Sequence, residues 1–344
     1  MAFTFPYRRI RLIEGLKSAK LIAVTFLVFL TSVLNPFYSQ DRNTQDYWKY
    51  HERINKAEVL IGEEKFENAL AAYEAIIGDY DFVFLRDYKI AAQLALQCSE
   101  KEKAYTYIRK GISAGWEIKD LKKNKFLETL KDDPEWKMME KDYPELRESY
   151  LERIDPFMRD QVESMFKKDQ WMAAGALLRI GEKAQTNYAV KKFAPHSETQ
   201  ILQLIPLIQD QGYPGEKLIG NDYWVSTILS HHNSISEEYA RQDTLYKYIQ
   251  PMLKDAIEKG EMSPYEYALI DDWFIAVSSS RTKPGYGFLN QPRQSTLEVT
   301  EGLRTKIGLR SIALRNKLVE MENKTGMNFY LPDWVKGKIT VSAQ

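Results

Sequence analysis

Two adjacent pairs of residues have the types and spacing to do chemistry, His231-His232 and Asp271-Asp272. A histidine oriented by a carboxylate works as a general base near neutral pH. One reading of the pattern therefore has Asp272 orienting His232 in a small polar pocket; the plainer reading is a structural ion pair tying two helices. On a helix beginning after Asn221, residues 225, 228, 229 and 232 share one face, which puts His232 at the end of an apolar stripe while His231 points about 100° away. Two histidines so placed do not share one metal. Asp272 lies between Leu269 and Ala276 on a helix that is apolar on most sides, so its carboxylate must be paired or hydrogen-bonded. His232, Arg304 or a tyrosine hydroxyl are the candidate partners. No nucleophile motif, glycine-rich phosphate loop or pair of histidines four apart accompanies them, and neither a metal nor a cofactor is expected.

The elements that must position these residues are legible from their caps. Asp155-Pro156 reads as an N-cap followed by proline at the first helical position. Asn221 precedes a helix running to His232. Ser236-Glu237-Glu238 opens a helix that Gly260 closes, with a kink expected at Pro251. Ser263-Pro264-Tyr265-Glu266 and Ser295-Thr296-Leu297-Glu298 both read as capping boxes. The ten residues from Ser278 to Gly287 read as a flexible loop, and the best strand candidate is the short tail Lys338 to Val341. The fold class is mainly α.

Nearer the N-terminus a helical pattern repeats. Ala57, Leu60, Ala69, Tyr73 and Ile77 recur as Ala92, Ala95, Ala104, Ile108 and Ile112, each 35 positions later, with Gly62 and Ser99 near the two turns. Small residues sit where antiparallel helices must approach closely, and larger ones fill the gap beside them. Phe66 to Tyr73 resembles the second helix of a tetratricopeptide repeat, and the resemblance covers residues 46–115. Two such units need a cap, for which Trp116, Phe126 to Leu130 and Trp136 supply apolar residues. A charged helix from Lys137 to Asp155, with Pro144 opening a new turn, then leads to a boundary near residue 150. The expected organisation is a signal at 1–39, a tetratricopeptide-like helical domain at 40–150 and a second helical domain at 151–344.

Within that second domain the ordered series Gly212-Tyr213-Pro214, Gly220, His232, Ala268-Leu269, Asp272, Tyr286-Gly287, Arg304 and Gly308-Leu309 resembles domain of unknown function 6624, a family of bacterial, often exported proteins. The resemblance covers residues 156–315. Tyr213, His231, Trp273 and Phe288 stand where the family pattern has tryptophan, glutamine, arginine and threonine. It marks Tyr213, Tyr286 and Arg304 as candidate ligand-binding residues beside the candidate catalytic pair His232 and Asp272. The family has no established reaction, so the resemblance implies a fold more than an activity.

Composition bounds the partners. The chain has 344 residues, 48 basic and 48 acidic, and one cysteine, Cys98, so no intrachain disulfide can form. Residues 1–39 carry five basic side chains and one acidic, with an uncharged run from Leu21 to Leu34, and read as a secretory signal cleaved at Ser39-Gln40. Fourteen uncharged residues fall short of the ~20 that span a bilayer, which makes a retained membrane anchor the second reading. A chain starting at Gln40 carries 43 basic and 47 acidic side chains, a net charge of −4, which argues against nucleic acid as a partner. The expectation is thus an exported, periplasmic or secreted helical binding or scaffold protein, with protein or peptide as a partner for the repeats. The alternative is a small-molecule or cell-envelope hydrolase using His232 and Asp272.

Overall fold

A computed structural model describes residues 45–331 and 335–343; the segment read as a secretory signal lies outside them. The N-terminal part is built from two consecutive helical hairpins. The first is α1 (Tyr47–Gly62) and α2 (Phe66–Asp79), the second α3 (Leu85–Gln97) and α4 (Lys101–Ser113). Their tight turns place Glu64 and Ser99, again 35 positions apart, at φ 62° and 64°. Ala57, Ala69, Ala92, Ala95 and Ala104 are all fully buried at the close approaches. The short α5 (Ile118–Leu121), a 3-10 turn at Phe126–Leu130 and α6 (Pro134–Arg153) cover the end of the second hairpin. There Trp116, Leu127, Leu130 and Trp136 join the same apolar cluster as the hairpins.

The chain continues through α7 (Pro156–Leu177), α8 (Glu182–Tyr188), a π turn at Ala189–Phe193 and α9 (Ala194–Gln211). Then follow α10 (Glu216–Ile219), α11 (Trp224–Asn233), α12 (Glu237–Gln242), α13 (Leu245–Glu258), α14 (Pro264–Ser278), α15 (Leu297–Lys306) and α16 (Ile312–Thr325). A second apolar cluster lies among α7, α9, α11, α13 and α14, with Ile201, Leu204, Ile228, Leu229, Leu253 and Tyr267 fully buried. No strand forms among the described residues: the C-terminal tail runs extended and makes one isolated parallel bridge, Arg293 to Ser342.

Several caps form as their sequences require. Asp155 Oδ1 accepts the Met158 N–H at 2.9 Å, and Ser263 Oγ accepts the Glu266 N–H at 3.2 Å. Other expectations are corrected. The helix from Ser236 is broken at Asp243, whose carboxylate accepts the Leu245 and Tyr246 N–H groups at 2.9 and 3.0 Å and so opens α13, while Pro251 stays inside α13. Ser295 caps nothing, because residues 294–296 form a 3-10 turn ahead of α15. Asn221 lies ahead of α11 but spends its amide on the Ala114 carbonyl at 3.1 Å.

The position read as a domain boundary falls in the last turns of α6. The described residues form one compact unit, and side chains tie its early and late helices together. Leu318, Met321, Met327 and Phe329 belong to the N-terminal apolar cluster. The Gln93 side chain holds Asn328 from both sides, donating to its carbonyl at 2.7 Å and accepting its N–H at 2.8 Å. Arg86 Nε donates to the Phe329 carbonyl at 3.1 Å. The face of α1 and α3 is thereby covered by α16 and the residues that follow it. No described helix is long and apolar enough to cross a membrane.

Candidate functional site

On α1 the apolar stripe 47, 50, 54, 57 and 61 is interrupted by two buried polar residues, His51 and Glu58. Both face inward because they fall on the same helical face as the core residues. Glu58 is fully buried and bound by two guanidinium groups: Arg86 Nη2 at 2.5 Å, and Arg310 through Nε at 2.6 Å and Nη2 at 2.8 Å. Burial raises its pKa, but the charges of Arg310 and Arg86 outweigh burial and hold the carboxyl below its usual range. Asp87 accepts the Tyr50 hydroxyl at 2.5 Å and an Arg86 N–H at 3.2 Å, yet burial still pushes it up. His51 sits beside this cluster. Burial, followed by the charges of Arg310 and Arg86, lowers its pKa to about 3, so the imidazole is neutral.

Next to this cluster opens a cavity of about 610 Å³, bounded by α1, the start of α3, α10, α11, the first turns of α14 and the 308–310 turn. Its size is that of a small-molecule site. Two glutamates enter it. Glu216 is the first residue of α10, after a Gly215 whose added Cβ would collide with the Glu261 carbonyl; it accepts the Leu85 N–H at 2.6 Å. Glu266 is fixed at its backbone by Ser263 and at Oε1 by the Tyr213 hydroxyl, 2.6 Å away. Burial pushes both carboxyls up to about 7; the Leu85 N–H and Arg153 oppose the shift at Glu216 while the charge of Asp87 adds to it, and the Tyr213 and Ser226 hydroxyls oppose it at Glu266 while the charge of Glu216 adds to it there. Among the described residues neither makes a salt bridge, whereas Glu58 has two.

The lining is otherwise mixed. Tyr223 stands 60 % exposed at the cavity, and Tyr265, Trp273 and Tyr330 add aromatic surface. His231 also lines it, with Nδ1 2.6 Å from Oδ2 of the fully buried Asp169. His51 Nε2 and Ser230 Oγ are buried at its wall without a hydrogen-bond partner among the described residues. No described group of three or more His, Cys, Asp or Glu side chains is arranged to hold a metal ion.

The residues singled out from the sequence lie elsewhere. His232 is fully buried, with Nδ1 2.9 Å from Ser197 Oγ and Nε2 3.1 Å from Asp243 Oδ2; its carboxylate partner is Asp243 and not Asp272. Asp272 is also fully buried, and backbone amides satisfy it: Tyr286 N–H donates to Oδ1 at 2.8 Å, and Phe288 and Leu289 N–H donate to Oδ2 at 3.0 and 2.9 Å. The loop from Ser278 to Gly287 is thus pinned to α14, and Gly285 is required because a Cβ there would strike Asp272 Oδ1. Tyr286 gives its hydroxyl to Asp271 at 3.0 Å, and Arg304, fully buried, donates Nη1 to the Tyr286 carbonyl at 2.5 Å. The candidate pair is therefore not brought together. Of the five candidates, Tyr213 acts on the cavity through Glu266, and Arg304 holds the 308–310 turn of its wall, donating Nε to the Arg310 carbonyl at 2.7 Å.

Sequence reasoning passed over Glu216 and Glu266 because each sits in a motif already explained, a Pro-Gly turn and a capping box. The signal for His51 and Glu58 was present as polar residues on the apolar stripe of α1. Compared with protein-family models, curated proteins and solved structures, the chain matches none.

Proposed function

We propose that this is an exported binding protein that takes a small, polar, hydroxyl-bearing molecule in the cavity between the first hairpins and α10, α11 and α14. The observation that carries this reading is a cavity of about 610 Å³ whose lining sets the aromatic side chains of Tyr223, Tyr265, Trp273 and Tyr330 beside the carboxyls of Glu216 and Glu266 and the amides of Asn55 and Asn221. Aromatic rings beside carboxyl and amide groups suit a molecule with alternating apolar and hydroxyl faces. A peptide partner on the repeats is the less favoured reading, since α16 and residues 327–330 of the same chain already lie on α1 and α3. Export rests on the basic and apolar character of residues 1–39.

The test is a thermal-shift screen of the full chain against sugars, polyols, nucleosides and amino acids. A ligand present at a hundred times its Kd adds about 2.7 kcal/mol of stability. A hydroxyl-rich compound is expected to raise Tm in the wild type, and Tyr223→Ala is expected to abolish the rise while keeping the unliganded Tm. A rise confined to apolar compounds, or one unaffected by Tyr223→Ala, would contradict the assignment.

A further inference from the structure

We infer that the tip of the α7–α8 hairpin is a lipid contact that seats the protein on the surface of an anionic bilayer. The three most exposed large hydrophobic side chains among the described residues lie between positions 171 and 180: Ile180 is 97 % exposed, Trp171 80 % and Leu178 78 %. Trp171 and Leu178, seven positions apart, share one face of α7, and Ile180 follows in the turn that Gly181 completes at φ 90°. Val190, 49 % exposed, adds a fourth apolar side chain where the chain returns through the π turn. Every residue from 178 to 187 is exposed, and α8 buries none of its side chains. Single exposed apolar residues need no explanation, but a group of them rimmed by charge marks a contact surface.

The hairpin is nevertheless held in shape. The Tyr188 hydroxyl donates to the Met172 carbonyl at 3.1 Å, bringing α8 back against α7, and Gly175 leaves room for it because an added Cβ would strike that hydroxyl. The Arg179 guanidinium lies over the same ring, 5.0 Å from its centre. The apolar side chains are thus presented by a built element.

The charges around the tip identify the partner. Lys168, Arg179, Lys183, Lys191 and Lys192 are exposed, and none of them makes a salt bridge among the described residues, whereas neighbouring Lys167 is paired with Glu163. Between Lys168 and Lys192 the acids are Glu182, which is exposed, and Asp169, which is fully buried against His231. The tip therefore carries a local positive excess on a chain with as many acidic as basic residues. A bilayer surface takes both kinds of group at once. Its apolar boundary receives Leu178 and Ile180, an indole suits the level of the headgroups, and Lys and Arg stems reach outward to lipid phosphates. A second copy of this chain would instead set like charges against one another. No described helix is long and apolar enough to cross a membrane, so the contact is peripheral.

The experiment is co-sedimentation of the full chain with vesicles of phosphatidylcholine alone and of phosphatidylcholine mixed with phosphatidylglycerol, together with fluorescence quenching by brominated lipid. Residues 1–39 carry an apolar run of their own, so the deciding quantity is the difference between variants of the same full chain. The wild type is expected to favour the phosphatidylglycerol vesicles and to bind them less as salt is raised. Brominated lipid is expected to quench a component of its tryptophan fluorescence that Trp171→Phe removes. Leu178→Ser and Ile180→Ser, at positions too exposed to support the fold, are each expected to weaken binding by at least ~10-fold, and Lys191→Glu combined with Lys192→Glu to abolish the preference for phosphatidylglycerol. Unchanged binding by both serine variants, or no quenching traceable to Trp171, overturns the proposal. Equal binding of the wild type to the two kinds of vesicle overturns the anionic-lipid assignment. A dimer in sedimentation velocity that Ile180→Ser dissolves, without vesicle binding, gives the surface to a second copy and overturns it too.

Discussion

At the scale of single residues, the carboxyls divide by what surrounds them. Glu58 is buried and ionised because two guanidinium groups enclose it; Glu266 is buried beside a phenol and holds its proton to about 7. A stability consequence follows with a definite sign. The ordinary value for Glu266 is 4.5, so between 4.5 and about 7 the folded protein keeps a proton that the unfolded chain has released. Its contribution is therefore greatest at low pH, falls as pH rises through that window and levels off above it. Glu266→Gln, which cannot ionise and still accepts from Tyr213, is expected to be more stable than wild type at pH 8 by on the order of 2–3 kcal/mol, and equal to it near pH 4. Urea midpoints at the two pH values measure this. A variant destabilised at pH 8 would show that the carboxylate is the favoured form in the fold. Functional groups held against stability are what a working site requires.

At the scale of elements, the cap chemistry was legible and the tertiary partners were not. Helix starts at Asp155 and Ser263 follow from local hydrogen bonds that the sequence contains in full. The break at Asp243 was missed because an aspartate inside a run of helix formers reads as an exposed face, and only the incoming His232 and the α13 amides show its role. The 35-residue recurrence placed both hairpins, since the period reflects packing between neighbours in sequence. The cavity instead joins residues far apart in the chain, such as Leu85 with Glu216 and Tyr213 with Glu266, and no local pattern encodes those pairings. Asp272 shows the limit from the other side: burial was evident, but the partner proved to be a loop backbone. Asn at this position must turn its NH2 toward at least one of three N–H donors. Asp272→Asn is expected to cost about 2–3 kcal/mol and to loosen the 285–289 loop, read as a lower urea midpoint and faster amide exchange at Tyr286, Phe288 and Leu289. An unchanged midpoint would mean that the loop is held by other contacts.

At the scale of the whole molecule, the chain closes on itself. Arg310, just ahead of α16, reaches Glu58 on α1, and Asn55 donates to the Gly308 carbonyl at 2.9 Å, so the 308–310 turn completes the cavity that α1 begins. The charged cluster thus ties the two ends of the described fold together and forms one wall of the site, where breaking a buried pair is costly. Residues on both sides of the C-terminal helix, Gly308 to Arg310 before it and Asn328, Tyr330 and Leu331 after it, line the cavity. The central claim is that this cavity holds two buried carboxyls, Glu216 and Glu266, that burial pushes up to about 7. The most direct measurement is a carbon-13 NMR titration of the glutamate side-chain carboxyls in the full chain, with Glu216→Gln and Glu266→Gln assigning the resonances. Two glutamates are expected to titrate near 7, each removed by its own substitution and both displaced by a bound ligand. All glutamates titrating in the ordinary carboxylate range would contradict it.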